Sequence, residues 1–143
     1  MKKLLKIGLI LFGIGLVSGF ATYLYVFHKP HRNIAKEKAA YVLSANEIYK
    51  DFSENEDSSF VKYGNKVLQI NGEVVDIQLK PNQAEITMND AMESVNCMFD
   101  STAVVNYYDR LKKLKAGDKV ELKGQCDGYD MIMGVVLTRC VLL

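Results

Sequence analysis

Histidine is scarce in this chain: 143 residues hold two, His28 and His31, and none follows. The rest therefore has no Ser/His or Cys/His pair, no imidazole general base and no imidazole metal ligand. The three cysteines, Cys97, Cys126 and Cys140, form no CxxC pair, and neither a phosphate loop nor a dinucleotide fingerprint occurs. Acidic residues do cluster, as Glu54, Glu56 and Asp57 and as Asp127 and Asp130. Such runs belong on solvated loops and helix ends, and the alternating oxygens, glycine and distal glutamate of an EF-hand are missing. These absences point away from an enzyme, and no cofactor or metal site is expected.

What is present is an uneven distribution of charge. The first 38 residues carry seven Lys/Arg and one acidic residue, whereas from Ala39 onward 11 Lys/Arg face 16 Asp/Glu, a balance of −5. Between the basic flanks runs an uncharged apolar stretch, Ile7 to Phe27. As a helix rising 1.5 Å per residue it spans about 30 Å, the thickness of a bilayer's hydrocarbon core. Lys2, Lys3 and Lys6 precede it, Tyr23 and Tyr25 sit at interfacial depth, and Pro30 closes it. Residues 1–28 are thus expected to be a single-pass membrane anchor with the lipid bilayer as partner along residues 7–27. Residues 29–38 read as a basic juxtamembrane linker and residues 39–143 as one domain. A cleaved signal peptide is the competing reading, because Gly19, Phe20 and Ala21 resemble a small-x-small site. The apolar run, however, continues for six residues past Ala21. Gly15 and Gly19 form a GxxxG pair through which two such helices can pack, a route to a homo-oligomer. Three basic residues before the span and four after it leave the positive-inside rule nearly balanced. The short N-terminal end is expected inside, with the domain outside the cytoplasm.

Ser44, Ala45, Asn46 and Glu47 make a capping box, predicting a helix to about Glu54 with Ile48 and Phe52 on one face. A second short helix over 58–63 would turn Phe60 and Tyr63 inward and stop at Gly64. From Lys66 the period changes to 2: Leu68, Ile70, Gly72 and Val74 mark a long strand with a bend or bulge at Gly72. A turn at Lys80, Pro81 and Asn82 leads to strands through Ala84, Ile86 and Met88 and through Val95, Cys97 and Phe99. Ser101 then caps a helix with Val104, Tyr107, Tyr108, Leu111 and Leu114 at helical spacing, ended by Gly117 and Asp118. Strands over 119–126 and 135–142 follow. Three strands, a helix and two strands is the order of the Greek-key OB barrel. The fold class expected is all-β with accessory helices: a five-stranded Greek-key OB-fold barrel preceded by a transmembrane helix and one or two short helices.

The segments Tyr63-Gly64-Asn65-Lys66-Val67-Leu68-Gln69-Ile70-Asn71-Gly72-Glu73-Val74, Gly117-Asp118-Lys119-Val120-Glu121-Leu122-Lys123-Gly124-Gln125-Cys126 and Val136-Leu137-Thr138-Arg139-Cys140, with Leu43-Ser44-Ala45 and Asn55-Glu56, resemble the tRNA-anticodon-binding-like OB-fold family of small bacterial envelope proteins. The resemblance covers nearly all of residues 40–143 and implies a fold rather than an activity. Relatives commonly carry a signal peptide or lipoprotein leader, which implies export. This chain departs in lacking the lipid-acceptor cysteine and in having Met133-Gly134 ahead of the last strand.

An OB domain reads its ligand with the face of its second and third strands and the loops joining strands 1 to 2 and 4 to 5. Those loops offer Lys80, Asn82, Asp127, Tyr129 and Met131, with no stacking array. Tyr107 and Tyr108 interleave with Arg110, Lys112, Lys113 and Lys115, but at helical spacing the tyrosines join the apolar stripe. Cys97, Cys126 and Cys140 read as small buried hydrophobes; in an oxidising compartment two of them would pair, with the partners open. The function expected is a membrane-anchored, non-enzymatic OB-fold binding module on the envelope side, with a peptide, glycan or protein ligand. Nucleic acid is disfavoured by the domain's charge. The alternative is a nucleic-acid-binding OB domain tethered at the cytoplasmic membrane face.

Overall fold

The computed structural model describes residues 2–27, 33–89 and 93–143, with side chains in α1 (Lys2–Phe27) described for Lys6 and residues 12–25. The molecule has two compact units, the first containing α1 and the second running from Asn33 to Leu143. In α1, Phe12, Ile14, Leu16, Val17 and Phe20 are all exposed. The hydroxyls of Ser18 and Thr22 are turned back onto the helix, donating to the carbonyls of Gly15 (3.1 Å) and Ser18 (2.8 Å). Among the described residues, no helix is long and apolar enough to cross a membrane. The expected span over 7–27 lies partly outside the described side chains.

The second unit is a closed barrel. Its elements are β1 (Tyr41–Ser44), α2 (Ala45–Glu54), α3 (Glu56–Tyr63), β2 (Val67–Lys80), β3 (Gln83–Met88), β4 (Val95–Phe99), α4 (Ser101–Leu111), β5 (Lys119–Asp130) and β6 (Gly134–Leu142). The sheet runs β1-β2-β3-β4-β6-β5, and pairing of β2 with β5 closes it. β2 to β6 are the five strands of an OB fold. β4 and β6 run parallel, and the neighbours β2–β3, β3–β4, β5–β6 and β2–β5 antiparallel. The inward positions, among them Leu68, Ile70, Ile86, Cys97, Leu122 and Leu137, form one buried core with Ile48, Phe52 and Tyr63 of the preceding helices and Val104 and Leu111 of α4. Residues 33–38 belong to this unit as well: Ile34 is buried, and Lys123 Nζ donates to the carbonyls of Ala35 and Glu37.

The capping box forms as the sequence predicts. The Glu47 amide donates to Ser44 Oγ, and the Ser44 amide (2.7 Å) and hydroxyl (2.8 Å) both donate to Glu47 Oε2, which holds the Glu47 carboxyl below its usual range. Other elements differ from the sequence reading. A sixth strand, β1, pairs parallel with β2 ahead of α2; four residues are too few to show a period. α3 starts at Glu56 because Asn55 caps it, accepting from the Ser58 amide, and its Phe60 faces out, 44% exposed. The bulge in β2 falls between Val74 and Asp76 rather than at Gly72. Asp100, not Ser101, caps α4, accepting from the Ala103 amide at 2.8 Å. α4 ends at Leu111, and Tyr108 is 46% exposed instead of lying in the apolar stripe.

Candidate functional site

The largest departure lies at the expected loop joining the last two strands. β5 continues to Asp130, so Asp127 and Tyr129 stand on a strand, and only residues 131–133 form the turn. Extended pairing with β6 through Gly128 and Tyr129 carries the strand past Cys126. Gly128, at φ +121°, occupies a backbone region that side chains rarely adopt. Asp130 Oδ1 accepts from the amides of Ile132 and Met133, and these two bonds depress its pKa while fixing the turn. Asn96 Nδ2 and Ser94 Oγ both donate to the Met133 carbonyl from the other side. Met131 and Ile132 thus project, 93% and 94% exposed, from a pinned hairpin tip.

The sequence-predicted residues do not converge on one place. Lys80 ends β2, and Asn82 lies in the adjoining turn, where it lines a shallow hollow with Met98, Thr138 and Arg139. Asp127 and Tyr129 line a different cleft of about 450 Å³ with Glu56, Asp57, Phe60 and Val61 of α3. α3 follows α2 across the single extended residue Asn55, and Phe52 of α2 and Tyr63 at the end of α3 are both anchored in the core. The Tyr63 hydroxyl donates to Asp51 Oδ2 at 2.5 Å, and Lys62 Nζ lies 3.1 Å from the same oxygen. The Tyr63 hydroxyl foremost, then Lys62, keeps the Asp51 carboxyl below its usual range. Phe52 stacks on Tyr129 at 6.3 Å, and Tyr49 lies 6.1 Å from the same ring. A hydrogen bond between the Tyr49 and Tyr129 side chains is the main cause that raises the Tyr49 pKa.

The cleft is thus an aromatic wall of Phe60 and Tyr129 under three exposed carboxylates, Glu56, Asp57 and Asp127. Among the described residues, no Lys, Arg or His lines it. An apolar stem can lie along the rings while a cationic head reaches the carboxylates. The helical spacing of Phe60 with Tyr63 is that of a buried stripe, yet Phe60 is exposed, because nothing local in the sequence reports that β5 lies beside α3.

The OB ligand face is different in kind. The outward residues of β2 to β4 include Asp76, Gln78 and Lys80 opposite Thr87, Glu85 and Gln83, then Met98, while Asn96 on the same side is buried. Thr87 Oγ1 and Asn96 Oδ1 are hydrogen-bonded at 2.8 Å. No aromatic ring stands on this face among the described residues. Three or more His, Cys, Asp or Glu residues able to hold a metal ion do not cluster among the described residues either.

A match to the tRNA_anti-like family extends over residues 1–142. The chain belongs to that family. Among solved structures, this tRNA_anti-like chain is similar to a protein from Klebsiella pneumoniae subsp. pneumoniae MGH 78578 described as a candidate nucleic acid-binding lipoprotein, with TM-score 0.56 and 17% identity over 80% of this chain and 99% of that one. It is also similar to a candidate aspartyl-tRNA synthetase from Leishmania major Friedlin, with TM-score 0.52 and 14% identity over 80% of this chain and 23% of that one. At these identities the likeness shows the OB fold alone. No curated protein matches the chain significantly.

Proposed function

We propose that this tRNA_anti-like protein is a non-enzymatic OB-fold binding module, held to a membrane by its N-terminal helix, that receives a basic segment of a peptide or protein in the α3–β5 cleft. The observation that carries the reading is the cleft itself: Phe60 and Tyr129 beneath Glu56, Asp57 and Asp127, with no cation among its lining residues. A lysine or arginine side chain matches both halves of that surface, and a domain charge of −5 draws such a ligand in. Residues 33–143 titrated with a lysine-rich peptide at low salt test it, with binding that weakens as salt rises expected and no binding at any salt overturning it.

Membrane attachment is supported by the uncharged run from Ile7 to Phe27 and by the α1 hydroxyls satisfied within the helix, as bilayer helices require. We place the domain on the envelope side. A C-terminal tag digested by protease in intact spheroplasts is the expected result, and a protected tag contradicts the placement.

A second reading, a nucleic-acid-binding domain at the cytoplasmic face, is favoured by the similarity to the Klebsiella protein described as nucleic acid-binding. It has to overcome the acidic balance and a ligand face without rings, since single strands are held by stacking and cationic grooves. Absence of salt-dependent binding to single-stranded DNA and RNA removes it.

A further inference from the structure

The barrel closes over only part of its longest strand. β5 pairs with β2 from Val67 to Glu73 and leaves it there. The turn ahead of β5 serves one residue more, Val74, whose amide donates to the Asp118 carbonyl and whose carbonyl accepts from the Gly117 amide. From there to Lys80, β3 is the one strand paired with β2 among the described residues. The bulge between Val74 and Asp76 changes which edge each residue addresses. Lys80 and Gln83 close a two-residue turn as a hydrogen-bonded pair, so along the ladder Asp76, Gln78 and Lys80 bond to β3. The amides and carbonyls of Ile77 and Leu79 therefore point to the open side. Among the described residues, no backbone hydrogen bond beyond the β3 ladder reaches residues 76–80. β1 has an open side as well, but it is four residues long and ends in the cap of α2.

The side chains along this edge are complementary to their own copy. Asp76, Gln78 and Lys80 are exposed on the outer face, whereas Ile77 and Leu79 pack half-buried against the core. Asp76 and Lys80 lie symmetrically about Gln78, and neither forms a salt bridge among the described residues. We propose that the open edge of β2 is a self-association surface on which two copies of this chain pair antiparallel about Gln78, joining their β2–β3 ribbons into one continuous sheet. That two-fold sets Asp76 of each copy opposite Lys80 of the other, so opposite charges meet across the strands. It sets Ile77 opposite Leu79, the residues with open backbone groups, and each such pair exchanges both hydrogen bonds of an antiparallel ladder. Centring the pair on Ile77 would oppose Asp76 to Gln78, and centring it on Leu79 would oppose Lys80 to Gln78, so the charges select one register. The contact is isologous and closes on itself, which gives a dimer instead of the open-ended stacking that a bare edge invites. It shares no residue with the α3–β5 cleft and does not depend on what that cleft binds.

The test uses the full chain in detergent carrying Gln78→Cys. At the two-fold the two introduced thiols face each other as a non-hydrogen-bonded pair, within reach of a disulfide, while the native Cys97, Cys126 and Cys140 are buried. Brief oxidation with copper phenanthroline should give a covalent dimer on a non-reducing gel. Glu85→Cys, on the neighbouring β3, should stay monomeric under the same treatment. Adding Asp76→Lys to the Gln78→Cys chain sets like charges opposite and should slow cross-linking on the order of tenfold, and Lys80→Asp should do the same. Mixing those two chains restores opposite charges at both positions and should restore the rate. No cross-link through Gln78→Cys, or an equal one through Glu85→Cys, overturns the surface, even if the chain dimerises through its N-terminal helix. A mixture that cross-links no faster than either charge variant alone overturns the antiparallel pairing about Gln78.

Discussion

The outer face of β3 and β4 presents Glu85, Thr87 and Met98 around the buried Asn96, whereas the cleft between α3 and β5 presents Phe60, Val61 and Tyr129 beside Glu56, Asp57 and Asp127. The first surface is the outward half of ordinary strand alternation, present wherever an OB barrel exists. The second exists only because two helices precede the barrel and are fastened into its core through Ile48, Phe52 and Tyr63. Where the shared face is polar and without rings, the chemistry available for recognition lies in the added part. On the proposed reading the fold carries little of the specificity, which would sit where this chain differs from a bare barrel.

The change with the largest expected effect removes the scaffold under both surfaces. Gly124→Val places carbon 2.6 Å from Cys140 Sγ and 3.2 Å from Leu137 Cβ, and should destabilise the domain by about 3 kcal/mol, at the upper end of overpacking. Gly72→Val meets Ala45 Cβ at 3.0 Å and Met88 Sδ at 3.1 Å; a methionine can yield, so about 1 to 2 kcal/mol is expected. Urea midpoints of the two variants check the order, and equal midpoints would mean that the wall at Gly124 is no stiffer than that at Gly72.

Charge reversal separates the two surfaces more sharply. Asp127→Lys should weaken binding of a lysine-rich peptide on the order of tenfold, about 1.4 kcal/mol. Glu85→Lys makes the same change of charge on β3 and should leave affinity within about twofold, the size of a surface-charge effect. Calorimetric titrations at fixed salt decide, and equal losses would mean that overall charge rather than the cleft binds the peptide. Phe60→Ala should cost less, about 0.5 to 1 kcal/mol of affinity, the worth of an exposed cation–ring contact, with an unchanged urea midpoint.

The smallest effect concerns the fastening of α3. Asp51 has its pKa lowered by the Tyr63 hydroxyl and by Lys62. A depressed carboxyl contributes stability that is present above its unfolded pKa, near 4, and lost as pH falls through the folded value. Asp51→Asn should therefore lower the neutral-pH urea midpoint slightly and, by the same amount, flatten its fall below about pH 4. An unaltered acid limb would show that Asp51 does not hold α3.

The strands were legible because one face of each is buried and alternation with period 2 reports it, as in Leu68 and Ile70 or Ala84, Ile86 and Met88. The capping box was legible because Ser44 and Glu47 interact within one turn. Length hid β1, and a glycine hid the end of β5, since Gly128 is a turn signal in sequence yet lies inside a paired strand. The candidate cleft was only half legible. Asp127 and Tyr129 were identifiable as exposed candidates, but their partners Glu56, Asp57 and Phe60 lie about 70 residues earlier, and long-range contact between a helix and a strand leaves no period in either segment.

The central claim, that ligand enters the α3–β5 cleft and not the β3–β4 face, is tested most directly by amide chemical shifts of labelled residues 33–143 during two titrations, one with a lysine-rich peptide and one with a single-stranded oligonucleotide. The account predicts that the peptide shifts Glu56, Asp57, Phe60, Asp127 and Gly128 progressively and that the oligonucleotide leaves Glu85, Thr87, Asn96 and Met98 unmoved. Saturable shifts along β3 and β4 with the oligonucleotide, and none at the cleft with the peptide, would contradict it.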